Sequence, residues 1–271
     1  MQECTVANIP EFINAVLELG RRWFPDDLRP DIWFRGTENR DLKLLPGAYW
    51  RKKYDERTFV LDFRSMVPSY LNREPTDDWE WYYLMQHYGV PTRLLDWSES
   101  PLVSLYFALV KEPAGEGPCV WVIDPVALNR IAQGFTDGTV IAPVTTDPDA
   151  PSKHWLPDRC RRGQPVKTFG SATGYRDNAK PLAVFPKRYN PRIVAQRGVF
   201  TVHGIEENPI EEIMKEDPSV ASEARIARFC FDPALRARLK RDLYCLGVSK
   251  AALFPEPQSV ADDLREQYGS G

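Results

Sequence analysis

The chain has 271 residues, 43% of them hydrophobic and 27% charged, a globular balance that excludes wholesale disorder and a fibrous protein. Lys and Arg number 35 against 38 Asp and Glu, a formal charge of −3, so no global basic field draws the chain to nucleic acid or to acidic membranes. Aromatics reach 12%, and 24 prolines are too many for a mostly helical bundle, because each removes a backbone donor and breaks a helix interior. Many short elements around an aromatic core are therefore expected. The five cysteines are scattered with no CxxC pair, and there are three histidines, which argues against a disulfide framework and against a zinc site. Reduced thiols, no secretory signal in residues 1–10 and a longest apolar stretch (101–110) about half a membrane span long together read as a cytoplasmic protein with no membrane partner.

In chain order, Phe12, Ile13, Val16, Leu17 and Leu19 predict a helix from Ile9 to Gly20. Residues 31–36 read as a short aromatic strand, and Phe59, Val60, Phe63 and Val67 predict a helix over 54–67. Asp77 and Asp78 cap a helix over 79–88 that Gly89 ends. Residues 90–97 are extended, and Ser100-Pro101 opens an apolar, buried helix to Val110. Residues 119–123 form a strand and 126–132 a short helix. The stretch 134–180 reads as a long insertion or loop, with a basic run at Arg159, Arg161 and Arg162. Strands are expected at 181–185 and within 192–202, an acidic surface segment at 206–218, and a strand or short helix at 224–231. Helices over 233–246 and 260–268 close the chain, with 253–255 as an apolar stop between them. The whole reads as a single domain over residues 1–271.

Arg35 follows an aromatic strand and precedes Gly36. Its guanidinium is a rigid fork that matches phosphate or carboxylate, and the glycine would let a ligand approach the backbone. The alternative is a buried Arg paired with a core carboxylate such as Asp96 across adjacent strands, which would leave Arg93 to meet phosphate. His87 at a helix end reads as a base, an orienter or a helix-terminal cation, and Tyr88 and Trp97 as stacking or core aromatics. His203 reads as a strand-end residue, and His154-Trp155 as a contact offered by the insertion.

Three segments together are distinctive: Trp33-Phe34-Arg35-Gly36-Thr37, the run from Gln86 to Ser98 (QHYGVPTRLLDWS), and Arg192 to Thr201 (RIVAQRGVFT). They resemble the FRG domain family, over about residues 9–264. More weakly, Trp33–Thr37 and the run Asp96–Pro101 leading into a helix are similar to mono-ADP-ribosyltransferases. That resemblance implies an α+β fold with split β-sheets around a cleft and flanking helices. It also implies NAD as substrate, with Arg35 anchoring the diphosphate. Gln196 stands where those enzymes carry a catalytic Glu, with Glu206 the nearest downstream carboxylate, and Gln196 or a nearby Glu would hold the ribose. Arg35, Gln196 and Asp96 are then the catalytic candidates. Arg35, Gly36, Thr37, Tyr88, Arg93, Trp97 and Ser98 are the dinucleotide-binding candidates, with no metal.

The leading expectation is thus an ADP-ribosyltransferase-like enzyme that modifies a macromolecule (RNA, DNA or protein), as a toxin or anti-phage defence effector with a neutralising antitoxin or a sensor as partner. A non-catalytic nucleotide- or partner-binding module is the alternative, which the Gln favours. A nuclease using Asp96, Glu99 and Asp124 ranks last.

Overall fold

The computed structural model describes residues 2–50, 55–112, 115–133, 142–143, 151–157, 165–167, 175–188, 190–218 and 220–269. Among the described residues ten strands are formed: β1 (Gln2–Thr5), β2 (Trp33–Thr37), β3 (Leu94–Ser98), β4 (Cys119–Ile123), β5 (Ala142–Pro143), β6 (Pro165–Lys167), β7 (Tyr175–Asp177), β8 (Leu182–Phe185), β9 (Gly198–Val202) and β10 (Ile226–Cys230). Eight of them build one mixed sheet in the order β1-β10-β4-β2-β3-β9-β8-β5, and β6 and β7 pair separately. The helices are α1 (Ile9–Trp23), α2 (Gly47–Trp50), α3 (Glu56–Met66), α4 (Asp78–His87), α5 (Pro101–Val110), α6 (Pro125–Gln133), α7 (Pro191–Ala195), α8 (Ile210–Glu216), α9 (Arg236–Cys245), α10 (Lys250–Leu253) and α11 (Pro257–Tyr268). The fold is α+β.

Local chemistry explains most boundaries. Asn8, Asp77, Ser100 and Asn190 each accept a backbone N–H at a helix start, and Pro follows within two positions in α1, α5 and α7. Gly89 takes φ +75° just after α4, a conformation that costs a glycine nothing. The sheet separates apolar residues by alternation. On one face Phe34, Val120, Val122, Ala227 and Phe229 pack with α1, α5 and α9. On the other Trp33, Trp121, Ile123, Leu95 and Trp97 pack with α6 and α8. A third cluster joins Trp79, Tyr82, Tyr83 and Met85 of α4 to Leu94, Phe200, Val202 and Val184.

The sheet has one seam. β2 pairs with β4 over five residues and β3 with β9 over five, but β2 and β3 share the single pair Phe34–Ser98. α5 leaves β3 and packs back over β2. Gly36 permits this: a Cβ there would lie 1.8 Å from Ser104 O and 2.6 Å from Ala108 N. The glycine of the Arg-Gly pair therefore admits a helix backbone.

Four expectations are revised. Residues 192–202 are a short helix and then a strand, because Asn190 and Pro191 start α7 and Arg197 turns the chain at φ 48° before β9. Residues 206–218 contain α8, with Ile210, Ile213 and Met214 buried against the second core cluster. The 253–255 stop is the end of α10, and β1 was not anticipated. Within the stretch read as an insertion, Trp155 and Leu156 are buried in the third cluster, so the expected substrate contact at Trp155 is a core contact. The basic run Arg159–Arg162 lies outside the described residues.

Gly36→Ala is expected to lower unfolding stability by about 3 kcal/mol in urea denaturation, because the obstructing atoms are backbone. Gly47→Ala, whose Cβ would meet Pro91 at 3.7 Å, is the matched control and changes stability by less than about 0.5 kcal/mol.

Candidate functional site

A cleft of about 360 Å³ opens beside the seam. β2 supplies Phe34, Arg35 and Gly36, β3 supplies Asp96, Trp97 and Ser98, and α4 supplies Tyr83, Gln86 and His87. α5 adds Ser104, Phe107 and Val110, and the α7 region adds Asn190, Arg192, Ile193 and Gln196. The anticipated cross-strand pairing of Arg35 with Asp96 is present, in a specific form. Arg35 Nη1 donates to the Asp96 carbonyl at 2.6 Å and lies 3.9 Å from its carboxylate Oδ2. The Asp96 side chain is 58% exposed, so its carboxylate faces the cleft. Burial pulls the Arg35 pKa down, and Asp96 and Glu38 pull it back up.

A polar relay holds Asp96. The Leu94 N–H donates to Thr92 Oγ1 at 3.1 Å, the Thr92 hydroxyl donates to Gln86 Oε1 at 2.5 Å, and Gln86 Nε2 donates to Asp96 Oδ2 at 2.9 Å. Every donor runs in one direction, toward the carboxylate, which fixes the orientation of the Gln86 amide. At the rim Lys111 Nζ donates to Glu38 at 2.9 Å. Burial works to raise the Glu38 pKa, but the Lys111 bond and charge bring it to a net value below the usual range. Burial and the neighbouring Arg192 keep the His87 imidazole below its ordinary 6.5.

The other predicted residues divide. Ser98 donates to the Gln196 carbonyl at 2.7 Å, and the Gln196 amide donates to the Leu253 carbonyl at 3.1 Å, so both stand in the cleft wall as braces. The Trp97 indole is buried and donates to Thr201 at 3.0 Å, which assigns the ring to the core rather than to stacking. Thr37 is buried against Cys119 and Tyr88 is 61% exposed beside Phe63, and neither lines the cleft.

Arg93 is the clearest correction. Its guanidinium binds Glu56 at 2.7 Å, the Trp155 carbonyl at 2.7 Å and the His203 carbonyl at 3.1 Å, with its side chain 7% exposed. It is an internal strut, not a phosphate contact. Tyr82 donates to the same Glu56, and burial with that carboxylate raises its phenol well above the usual range. Of the carboxylates considered for a metal, Asp124 caps α6 and pairs with Arg225, while Glu99 pairs with Arg188. Among the described residues no three His, Cys, Asp or Glu gather as a metal site, and no helix is long and apolar enough to cross a membrane. Gln86, Glu38, Lys111 and Arg192 were missed as cleft residues, although Gln86 and Arg192 open two of the three distinctive segments.

Arg93→Ala is expected to cost about 3–5 kcal/mol in urea denaturation, since it leaves Glu56 buried without its cation. His203, fully buried beside Arg93, gives a pH signature. Burial and Arg93 depress its pKa from 6.5 to about 3. The unfolded chain protonates it near 6.5 and the folded protein does not, so the stability it contributes is complete above that pH. It falls as the pH drops toward 3, by about 1.4 kcal/mol per unit. His203→Gln should remove that component of the slope when unfolding is compared at pH 7 and pH 5.

Residues 30–116 match the family model of the FRG domain. No curated protein and no solved structure matches the chain significantly, and no comparison supports the weaker resemblance to mono-ADP-ribosyltransferases. The matched span runs from before β2 to beyond α5 and contains Arg35, Gln86 and Asp96, whereas the third segment with Arg192 lies outside it. The match is to the FRG domain over about a third of the chain, and the Arg35–Asp96 contact is internal to the matched span.

Proposed function

We propose that the cleft binds NAD and that the protein is an ADP-ribosyltransferase-like enzyme that modifies a macromolecule, in the manner of a toxin or defence effector. The observation that carries this reading is Arg35. One of its N–H groups is tied to the Asp96 carbonyl, which sets the guanidinium plane at the seam and leaves the remaining fork toward the cleft, where a diphosphate would be held. Tyr83, Phe107 and Phe200 offer an aromatic wall for a flat ring. In the reaction the glycosidic bond to nicotinamide breaks, nicotinamide leaves with the bonding pair, and an acceptor lone pair closes on the anomeric carbon and sheds its proton. Asp96 is the carboxylate placed to face the developing positive charge.

One observation favours a second reading, a nucleotide-binding module without chemistry. Gln196 is neutral and its amide is already bonded to Leu253, so it offers the cation little.

The purified protein is incubated with NAD and lysate fractions, and nicotinamide release and label transfer are followed. Release with label transfer is the expected result. NAD binding without release leaves the module. Arg35→Ala should lower release by at least about 100-fold while moving Tm by less than about 4 °C. Unfolding of that variant would instead make Arg35 a strut across the seam.

A further inference from the structure

The cleft wall carries six groups that could bear charge: Arg35, Glu38, His87, Asp96, Lys111 and Arg192. Glu38 and Lys111 pair with each other, and Arg35 is tied to Asp96. Burial and the Arg192 charge lower the His87 pKa. Arg192 is left over. Among the described residues its guanidinium makes no hydrogen bond and has no carboxylate within 4.0 Å, and it lies over the Phe254 ring, 4.3 Å from Cζ to the centroid.

That contact is built rather than incidental. Arg192 lies in the first turn of α7, and Phe254 directly follows α10. The Gln196 amide, at the end of α7, donates to the Leu253 carbonyl at 3.1 Å, which fixes the two helices to each other and makes the ring a fixed platform. A guanidinium laid on an aromatic face keeps its donors in the plane, directed outward from the ring. A half-buried cation with a full set of unused donors is costly unless a ligand supplies the acceptors. Burial pulls the Arg192 pKa down, and Glu256 and Asp96 draw it up from beyond ion-pair distance.

The geometry points to Arg192 as a second anion-binding residue of the cleft, acting with Arg35 on the diphosphate of a nucleotide. This rests on the nucleotide reading of the cleft and deepens it, because it names the group recognised and divides its recognition between the FRG domain and the α7–α10 unit. Asp96 lies within electrostatic reach of both arginines. It offsets part of their mutual repulsion and leaves the three groups a net positive charge for the ligand.

Titration calorimetry of the full chain with ADP-ribose and with inorganic pyrophosphate tests this. Arg192→Ala should weaken ADP-ribose binding by about 10- to 100-fold, the effect of one charge-assisted contact, with an unchanged melting temperature. Arg192→Lys should recover only part of the loss, because an ammonium lacks the fork, and Phe254→Leu should fall between wild type and Arg192→Ala. Wild-type affinity for ADP-ribose in Arg192→Ala overturns the inference, as does full recovery in a variant that lacks the ring and the guanidinium together. Pyrophosphate bound by wild type and lost in Arg192→Ala, with no ADP-ribose binding, supports the anion site and sinks the dinucleotide reading. Binding of neither by wild type overturns both.

Discussion

The incomplete pairing of β2 with β3 is the constraint on which the site depends. Each strand has a full ladder on its other side, five residues with β4 and five with β9, and a single pair between them. Where the ladder stops, backbone groups facing the gap need other partners. The Asp96 carbonyl is one such group, and the Arg35 guanidinium satisfies it. Arg35 therefore has two roles in one geometry: it closes the backbone account at the seam and presents a cation to the cleft that the seam opens. Gly36, the next residue, lets α5 pack directly on β2, and α5 brings Ser104, Phe107 and Val110 to the same cleft. The Arg-Gly pair thus joins a cleft cation to the residue that lets α5 pack on β2.

The relay from Leu94 through Thr92 and Gln86 to Asp96 gives the carboxylate a fixed position without neutralising it. Thr92 is fully buried, accepts from one backbone N–H and donates onward, so its hydroxyl has one consistent orientation, and the Gln86 amide inherits it. A side chain as exposed as Asp96 would otherwise sample several rotamers. Preorganisation of this kind is what an electrostatic site needs, because dipoles already in place do not have to reorganise when charge develops. Arg93, next to Thr92 in the chain, points into the interior and ties Glu56, Trp155 and His203 together. The support beside β3 is therefore a polar network of its own.

Much of this was legible because it is local. Caps, prolines and Gly89 mark α1, α4 and α5, and the Arg35–Asp96 contact follows from two short strands that each carry one charged residue among apolar ones. The misread parts depend on distant partners. Ile193, Val194, Val199 and Phe200 look the same in one strand as in a helix followed by a strand, and the left-handed turn at Arg197 separates the two outcomes. Arg93 was read as left for phosphate once Arg35 pairs with Asp96, but it precedes β3 and its guanidinium is bonded in the interior. Its partners lie 37, 62 and 110 residues away, a distance at which sequence pattern is silent. Arg192 was visible as part of a distinctive segment. Its role was not, because the ring that supports it is Phe254, on the far side of β10 in the chain.

The composition that first set this chain apart now has a physical distribution. Its tryptophans are mostly structural: Trp33, Trp79, Trp97, Trp121 and Trp155 are all buried in core clusters, and the cleft wall draws chiefly on phenylalanine and tyrosine. Prolines open α1, α5, α7 and α11, and those of α5 and α7 set the entries of two helices that line the cleft. The charge balance has the sharper consequence. A protein at −3 has no long-range field to gather phosphate from solution, so any anion must be selected at contact. Contact selection works where donors are held partly out of water and left unpaired, since the interaction strengthens as the effective dielectric falls. Arg35, with one donor committed, and Arg192, with none, meet that condition. Arg93, with its donors bonded internally, does not. On the proposed reading, an arginine's value to an anion follows from its unused donors and not from the number of arginines.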